Sequence, residues 1–458
     1  MPGQSLKIFI KKYSKIENLV RNLINIAPLS IRFGKDFWDW YAFFEVTESW
    51  SQEQILEYQL EALKLLLNEL VQNSEFYRDR LSGLNINQLD SIDKFRSIVP
   101  DLSREEFRNN FNYILSKSAN KKAIIKSQTS GTTGMALQFY HLKKDNAREW
   151  AAICHQWKRV GYDPVKSRRA EFRGLTQNNK IIDFFPEQNM IRVSILHLKH
   201  EYLKYISSEI IKNEVDYYHG YPSAIYLLAK EICDYSINFP QPKAILLASE
   251  MVHKWQLSQI QEAFPNTKIF SHYGCAERTV LAGWCEYRQE YHIFPQYSLV
   301  EIDEHTYEII GTNLFNTING FVRYRMTDAV LESDFDICPD CHRPYTPRLI
   351  KLGGRAEDFL YSPENGWIAP AIVTYPLKGL KSIREIQFFQ KERNEILIRY
   401  TISLSNEFLL KNDLEQIETG LYYLFGKNMI LRFEQVDDFA RGSSGKFKWI
   451  ICELDRYI

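Results

Sequence analysis

An α/β architecture is predicted by three features of this sequence: a large mixed α/β domain with a helical lead-in, followed by a small C-terminal α+β domain. To about residue 115 apolar residues recur mainly at helical spacing. From about 120 to 330 short apolar strand segments alternate with helical patterns. Beyond about residue 358 the order becomes strand, strand, helix, strand. The expected units are therefore residues 1–115, 116–357 and 358–458.

The chain has 458 residues, 57 Lys plus Arg against 57 Asp plus Glu, 45% hydrophobic and 14% aromatic content. Zero formal charge gives no general pull toward nucleic acid, and the apolar content excludes a disordered or collagen-like chain. Lys and Glu interrupt the N-terminal apolar residues, and no window reaches the roughly 18 apolar residues of a membrane span. A cytoplasmic protein without a membrane span is the expectation. Seven cysteines, an odd number, favour thiols or metal ligation over disulfides.

Within the lead-in, Ser51 and Gln54 spell a capping box ahead of an apolar stripe that includes Ile55, Leu56, Leu63, Leu66, Leu67 and Leu70. Trp150, Ile153, Cys154, Trp157 and Val160 share one helical face that ends at Gly161. Strands are predicted at 123–125, 244–248 and 268–270. The small domain is predicted as strands at 386–390, 396–400 and 430–434, with a helix around 406–425.

The most informative loop is Ser127-Gln128-Thr129-Ser130-Gly131-Thr132-Thr133-Gly134, directly after an apolar strand segment. Glycines let backbone N–H groups turn toward an anion, and Ser and Thr hydroxyls add donors without bulk. The loop lacks the spacing and lysine of a Walker-type loop and the pattern of a Rossmann turn. Four further segments follow. They are Ser271-His272-Tyr273-Gly274-Cys275-Ala276-Glu277-Arg278, Arg323-Tyr324-Arg325-Met326-Thr327-Asp328, Gly353-Gly354-Arg355-Ala356-Glu357-Asp358 and Arg441-Gly442-Ser443-Ser444-Gly445-Lys446.

In this order the five segments resemble the motifs of the adenylate-forming, acyl-CoA synthetase-like superfamily. The resemblance is to its phenylacetate–CoA ligase-like branch, particularly members associated with capsular polysaccharide biosynthesis, and runs from about residue 120 to the C-terminus. It implies that Thr129, Ser130, Gly131, Thr132, Thr133 and Gly134 cradle the ATP phosphates, with Thr132 among the catalytic groups. Tyr273 and Gly274 would lie against the adenine or the acyl substrate, Glu277 would help hold Mg²⁺, and Asp328 would accept the ribose hydroxyls. Arg355 would contact ribose or phosphate, and Asp358 would be the hinge of a mobile small domain. Lys446 would bridge the substrate carboxylate and the α-phosphate. A weaker match places Ser249 and Glu250 beside the nucleotide, and His155, His219, Tyr221 and Tyr273 at the substrate pocket. Two departures stand out: Met135-Ala136-Leu137 replaces a Pro-and-basic continuation of the phosphate loop, and Met326-Thr327 replaces Thr-Gly.

Cys285, His292 and the C-x-x-C pair Cys338 and Cys341 make a Cys₃His set suited to a structural Zn²⁺, with His342 the alternative imidazole. Cys338 to His342 also spells a haem-attachment pattern, which the absence of an export signal argues against, and no thioredoxin-like context supports a redox pair. The implied function is ATP- and Mg²⁺-dependent activation of a small carboxylic acid, with release of pyrophosphate and transfer to CoA. The alternatives are an amide or ester ligase that uses a sugar or amine acceptor without CoA, a non-catalytic nucleotide-binding homologue and, disfavoured by the neutral charge, a zinc-knuckle RNA binder. No motif reports the oligomeric state.

Overall fold

The computed structural model describes residues 32–118, 120, 122–128, 137–174, 176–177, 180–355, 359–368, 373, 375–377, 379–402, 407–440 and 447–454. The lead-in is helical: α1 (Lys35–Thr47), α2 (Gln52–Asn73), α3 (Glu75–Arg80), α4 (Ile92–Ile98), α5 (Arg104–Asn109) and α6 (Phe111–Ile114). Ser51 and Gln54 form the reciprocal capping box at the start of α2, as the sequence predicts. The buried face of α2 is Ile55, Gln59, Leu63, Leu66, Leu67 and Leu70, whereas Leu56 is exposed. Gln59 is the polar member of that row. Its amide donates to the carbonyls of Pro295 and Ser298 at 3.0 and 3.2 Å, which pins the lead-in to the central domain.

Two strands, β1 (Ile124–Gln128) and β2 (Gln138–Leu142), form an antiparallel pair, and α7 (Asp145–Trp157) follows. The next strands and helices are β3 (Arg169–Phe172), β4 (Ile182–Phe185), β5 (Met190–Val193), α8 (His200–Lys212), β6 (Tyr217–Gly220), α9 (Pro222–Asp234), β7 (Ala244–Ala248), α10 (Lys254–Ala263) and β8 (Lys268–Gly274). An antiparallel extension completes the large domain: β9 (Leu281–Trp284), β10 (Tyr291–Ile293), β11 (Leu299–Ile302), β12 (Glu308–Thr312), β13 (Tyr324–Asp334) and β14 (Arg348–Arg355). Among the described residues these strands build one twelve-stranded sheet in the order β11-β12-β13-β14-β10-β9-β8-β7-β6-β3-β5-β4. Its β5-β3-β6-β7-β8 block is parallel, as repeated strand–helix crossovers require.

Both faces of that block are covered, so β6 and β7 are apolar or aromatic throughout and fully buried. One face carries Trp157, Tyr217, Leu246 and Phe270 in a core shared with the lead-in. The other packs Ala170, Tyr218, Ile245 and Leu247 against α8, α9 and α10. Gly283 on β9 lets α7 approach closely, because a Cβ there would fall 2.0 Å from the Gln156 side chain. The predicted helix end at Gly161 is observed, with φ of 84° closing a short 3₁₀ turn after α7.

A small hairpin, β15 (Leu360–Ser362) and β16 (Gly366–Ile368), precedes the C-terminal α+β unit. There β17 (Ile383–Glu392) and β18 (Glu395–Ile402) form a hairpin, α11 (Glu407–Phe425) crosses over, and β19 (Ile430–Gln435) and β20 (Ile450–Cys452) add on in parallel. The resulting order, β19-β18-β17-β20, encloses a core of its own around Phe388, Ile398, Ile417 and Leu421. The mixed α/β body with a smaller C-terminal α+β unit is the predicted fold class. No helix among the described residues is long and apolar enough to cross a membrane.

Candidate active site

The parallel strands end side by side. Phe172, Gly220, Leu247 and Ser271 stand level across β3, β6, β7 and β8, and the residues that follow open onto one cleft of about 1010 Å³. Ligands of open α/β sheets collect at this carboxyl edge, where chain direction frees side chains from the ladder. Arg173, Tyr221, Ser249 and Tyr273 line it from the large domain, and Leu380, Arg384, Phe447 and Trp449 from the small one. The two walls are joined by Arg384, whose Nε lies 3.4 Å from Glu231 Oε1, and by the His253 and Trp449 rings at 5.0 Å.

Three predicted residues meet in this cleft. The Tyr273 hydroxyl donates to Asp328 Oδ2, and Asp328 stands directly opposite Arg355 in the β13–β14 register. Glu277 is buried on the neighbouring turn, with the Tyr324 hydroxyl 3.5 Å from its Oε1. Burial and the adjacent Glu277 push the Tyr324 phenol well above its ordinary range, so it stays protonated. Arg325, by contrast, is engaged by structural carboxylates: Asp101 at 2.6 Å, Asp303 at 2.8 Å and Glu308 at 3.0 Å. It ties the lead-in to β12 and β13.

Thr129, Ser130, Gly131, Thr132, Thr133, Gly134, Asp358 and Lys446 lie outside the described residues. Their described neighbours do reach the site: Gln128, Gly354, Phe447 and Lys448 all line the cleft. Ser249 and Gly274 also line it, Ser249 with a left-handed φ of 71°. Glu250 accepts the Ser223 N–H at 3.1 Å.

Of the four side chains expected at the substrate pocket, Tyr221 and Tyr273 line the cleft, and His155 and His219 do not. His155 is directed away, because on α7 the cleft-facing pair is Glu149 and Ile153, four residues apart, and a residue two further on points elsewhere. Its Nε2 lies 3.5 and 3.4 Å from Glu45 and Glu48, and its ring stacks on Phe294. His219 is buried one layer behind the lining, with its ring 4.9 Å from Trp157 and its Nδ1 3.7 Å from Glu171. Burial, reinforced by Arg173, holds its pKa well below the ordinary histidine range, and burial does the same for His272, whose pKa falls to about 3. Sequence reasoning missed Arg173, His253 and Trp449. Arg173 follows a predicted type of element, a short buried strand, but a strand end only becomes legible once its neighbours are known.

The Cys₃His set is assembled. The ligand atoms of Cys285, His292, Cys338 and Cys341 all lie within 4.8 Å of one another, and three of the four residues are buried. His342 is not in this group: its N–H closes the knuckle turn on the Cys338 carbonyl at 2.9 Å. Burial, with Arg159, Arg343 and Arg348 nearby, keeps the His292 imidazole neutral, at a pKa of about 3. At Cys338 burial opposes ionisation, but N–H groups of Cys341 and Asp340 outweigh it and hold the thiol below its ordinary value. The donor set fits a tetrahedral thiophilic ion. Around it Arg343 grips Glu286 through two 2.7 Å bonds and reaches Glu48 at 2.9 Å, while Arg348 joins Glu290 to Asp334. On β10, successive side chains face opposite ways: His292 turns to the cysteines, and Tyr291 lines the cleft, bonded to Ser271 at 2.8 Å.

Comparison with known proteins bears on the fold. A model of the CapK C-terminal domain matches residues 360–453. Protein CapK of Staphylococcus aureus is 25% identical over a 471-residue alignment that covers 97% of this chain and 99% of that protein. A crystal structure of 2-hydroxyisobutyryl-CoA ligase in the postadenylation state, in complex with R3-HIB-AMP, superposes with a TM-score of 0.68 at 16% identity, covering 89% of this chain and 91% of that one. The same ligase in the thioesterification state, with 2-HIB-AMP and CoA, gives a TM-score of 0.53 at 17% identity, covering 88% and 91%. The fold is that of the adenylate-forming ligases. Along nearly its whole length the chain is similar to CapK, and its C-terminal unit matches the CapK C-terminal domain.

Proposed function

We propose that this protein activates a small carboxylic acid with ATP, forming an acyl-adenylate and pyrophosphate, and then passes the acyl group to an acceptor, CoA in the first instance. The observation that carries the reading is the meeting of Tyr273, Asp328 and buried Glu277 in one cleft between the large and small domains. Asp328 suits the ribose, since one carboxylate can accept from two vicinal hydroxyls. Tyr273, bonded to it, offers an aromatic face to the base. Glu277 supplies the hard oxygen ligand that an ATP-bound Mg²⁺ would take, and Arg355, across from Asp328, a cation for ribose or phosphate. In the adenylation step a carboxylate oxygen bonds to the α-phosphorus as the bond to pyrophosphate breaks. Charge then builds between two anions, and Lys446 is the residue assigned to offset it; Phe447 and Lys448, which follow it in the chain, line the cleft.

The thiolates and imidazole of Cys285, His292, Cys338 and Cys341 are assigned to a structural Zn²⁺. With four protein ligands such a site is closed and leaves no position for substrate.

The test is acid-dependent pyrophosphate release over a panel of short, aryl, fatty and amino acids, on the wild type and Lys446→Ala, with and without CoA. Release that falls by roughly a hundredfold or more in the variant, at unchanged melting temperature, is the expected result. Stimulation by CoA assigns the thioester route, and stimulation only by amines or sugars assigns the amide or ester route. Binding of ATP with no release for any acid would overturn the catalytic reading.

A further inference from the structure

One wall of the cleft carries a guanidinium, that of Arg173, which the activation step does not use. Behind Tyr221, the ends of β3 and β6 bring Arg169, Arg173 and Glu171 beside His219, and Arg192 reaches in from β5. Glu171 is the carboxylate of this group, and it is taken: Arg192 holds its Oε2 from Nε and Nη2, each at 2.6 Å. Arg169 bonds Tyr162 and the Gln188 carbonyl and stacks on Trp150, so it meets no carboxylate among the described residues. Arg173 meets none among them either. Its guanidinium stands 5.3 Å over the Tyr221 ring, and it lines the cleft.

Unmatched donors accompany this charge. Both ring nitrogens of His219 and Nδ1 of His272 are buried without a hydrogen-bond partner among the described residues. His272 lines the cleft, and its ring centroid is 6.4 Å from that of His219. These nitrogens are enclosed by protein, so they give the guanidinium a polar backing and are not themselves contacts open to the cleft. The other carboxylate on the α7 wall, Glu149, is held by Arg278 at 2.6 Å and does not neutralise Arg173. A purely apolar acyl chain would cover the Arg173 guanidinium without satisfying it.

We propose that the acid this site accepts bears a second anionic group at its far end, and that Arg173, with the imidazole of His272 beside it, receives that group. The inference rests on the acid-activation reading, because it assigns the acyl half of the same cleft. The substrate class is therefore short dicarboxylic acids and their close relatives, rather than fatty or plain aryl acids.

Isothermal titration with acyl-sulfamoyl adenosines separates the two readings. The probes are conjugates of the dicarboxylates from succinate to suberate, the matching monoamides, 5′-sulfamoyladenosine alone and the free dicarboxylates. Wild-type protein is expected to bind at least one dicarboxylate conjugate roughly ten- to a hundredfold more tightly than its monoamide, the worth of a charge-assisted hydrogen bond. Arg173→Gln should erase that ratio and leave 5′-sulfamoyladenosine binding intact, and Arg173→Lys should keep part of it. Equal binding of acid and amide conjugates by the wild type, or a preference that survives Arg173→Gln, overturns the proposal. Should 5′-sulfamoyladenosine fail to bind while free dicarboxylates bind through Arg173, the activation reading falls and the anion pocket stands. Should none of the probes bind, both fall. If Arg173→Gln loses its fold, the acid-to-amide ratio in Arg173→Lys decides, because a lysine retains charge without the guanidinium fork.

Discussion

Tyr291 and His292 are neighbours on one three-residue strand, and they face two differently built places. On the side of His292, four metal-binding atoms converge within 4.8 Å, and the charges around them are matched: Arg343 by Glu286 and Glu48, Arg348 by Glu290 and Asp334. On the side of Tyr291, the cleft wall carries Arg173, a guanidinium without a carboxylate among the described residues. The first place is ringed by ion pairs and holds structure, and the second keeps a cation on an open wall for something that arrives. The same strand serves both, so the knuckle sets where the cleft wall stands.

The sharpest way to break this contrast is to remove a knuckle thiol. Cys338→Ser is expected to abolish the proposed zinc binding and to destabilise the protein by more than about 4 kcal/mol, a size reserved for lost metal sites and ruptured cores. Elemental analysis and thermal unfolding read the two quantities. A variant that loses zinc at an unchanged melting temperature would make the site something other than a brace. Asp328→Ala should do the reverse. Nucleotide affinity is expected to fall roughly ten- to a hundredfold in titration, with the melting temperature nearly unchanged, because the carboxylate is on the cleft surface and its partner Tyr273 can turn to solvent.

The two regions were also unequally legible in the sequence. Cysteine chemistry is local and sparse, so Cys338-x-x-Cys341 with Cys285 names its own partners, and only the choice between His292 and His342 needed coordinates. Strand alternation and helical spacing also carried the fold class, down to the capping box at Ser51. The acyl pocket was harder, for a geometric reason. Its lining comes from the ends of four parallel strands and one helix, and which residue of each reaches the cleft depends on register and on rotation about the helix axis. His155 was assigned to the pocket because it follows the phosphate loop, but the helical period carries it to the opposite side, against Glu45 and Glu48. Arg173 was overlooked because nothing within the segment Arg169–Phe172 and its flanks announces that the neighbouring strand end holds a buried histidine.

A smaller effect tests the cleft margin through pH. His253 is buried where the two domains meet, between α10 and Trp449, and burial brings its pKa down to about 3. In the unfolded chain it titrates near 6.5, so between that pH and about 3 the unfolded state binds a proton that the folded state refuses. The stability from keeping this ring neutral is complete above about pH 6.5 and is lost as pH falls toward 3. His253→Gln should therefore flatten the dependence of unfolding free energy on pH between about 6.5 and 5, by up to about 1.4 kcal/mol per pH unit. An unchanged slope would mean that the ring is already solvated in the native state.

The smallest expected change sits beside the knuckle and sharpens what the matched charges there contribute. Arg343 joins α1, through Glu48, to the turn at Glu286, and its side chain is 15% exposed. Glu48 has its carboxyl held down to about pH 2, chiefly by His155 and further by Arg343, against the cost of burial. Arg343→Gln removes the guanidinium from that carboxylate and both bonds from Glu286, yet the 28% and 25% exposure of the two acids lets water take over part of the loss. A destabilisation of about 1 kcal/mol is expected, with zinc content unchanged. If the arginine instead proves essential for metal retention, the ion-pair ring is part of the binding site rather than a clasp around it, and the knuckle would depend on α1 for its geometry.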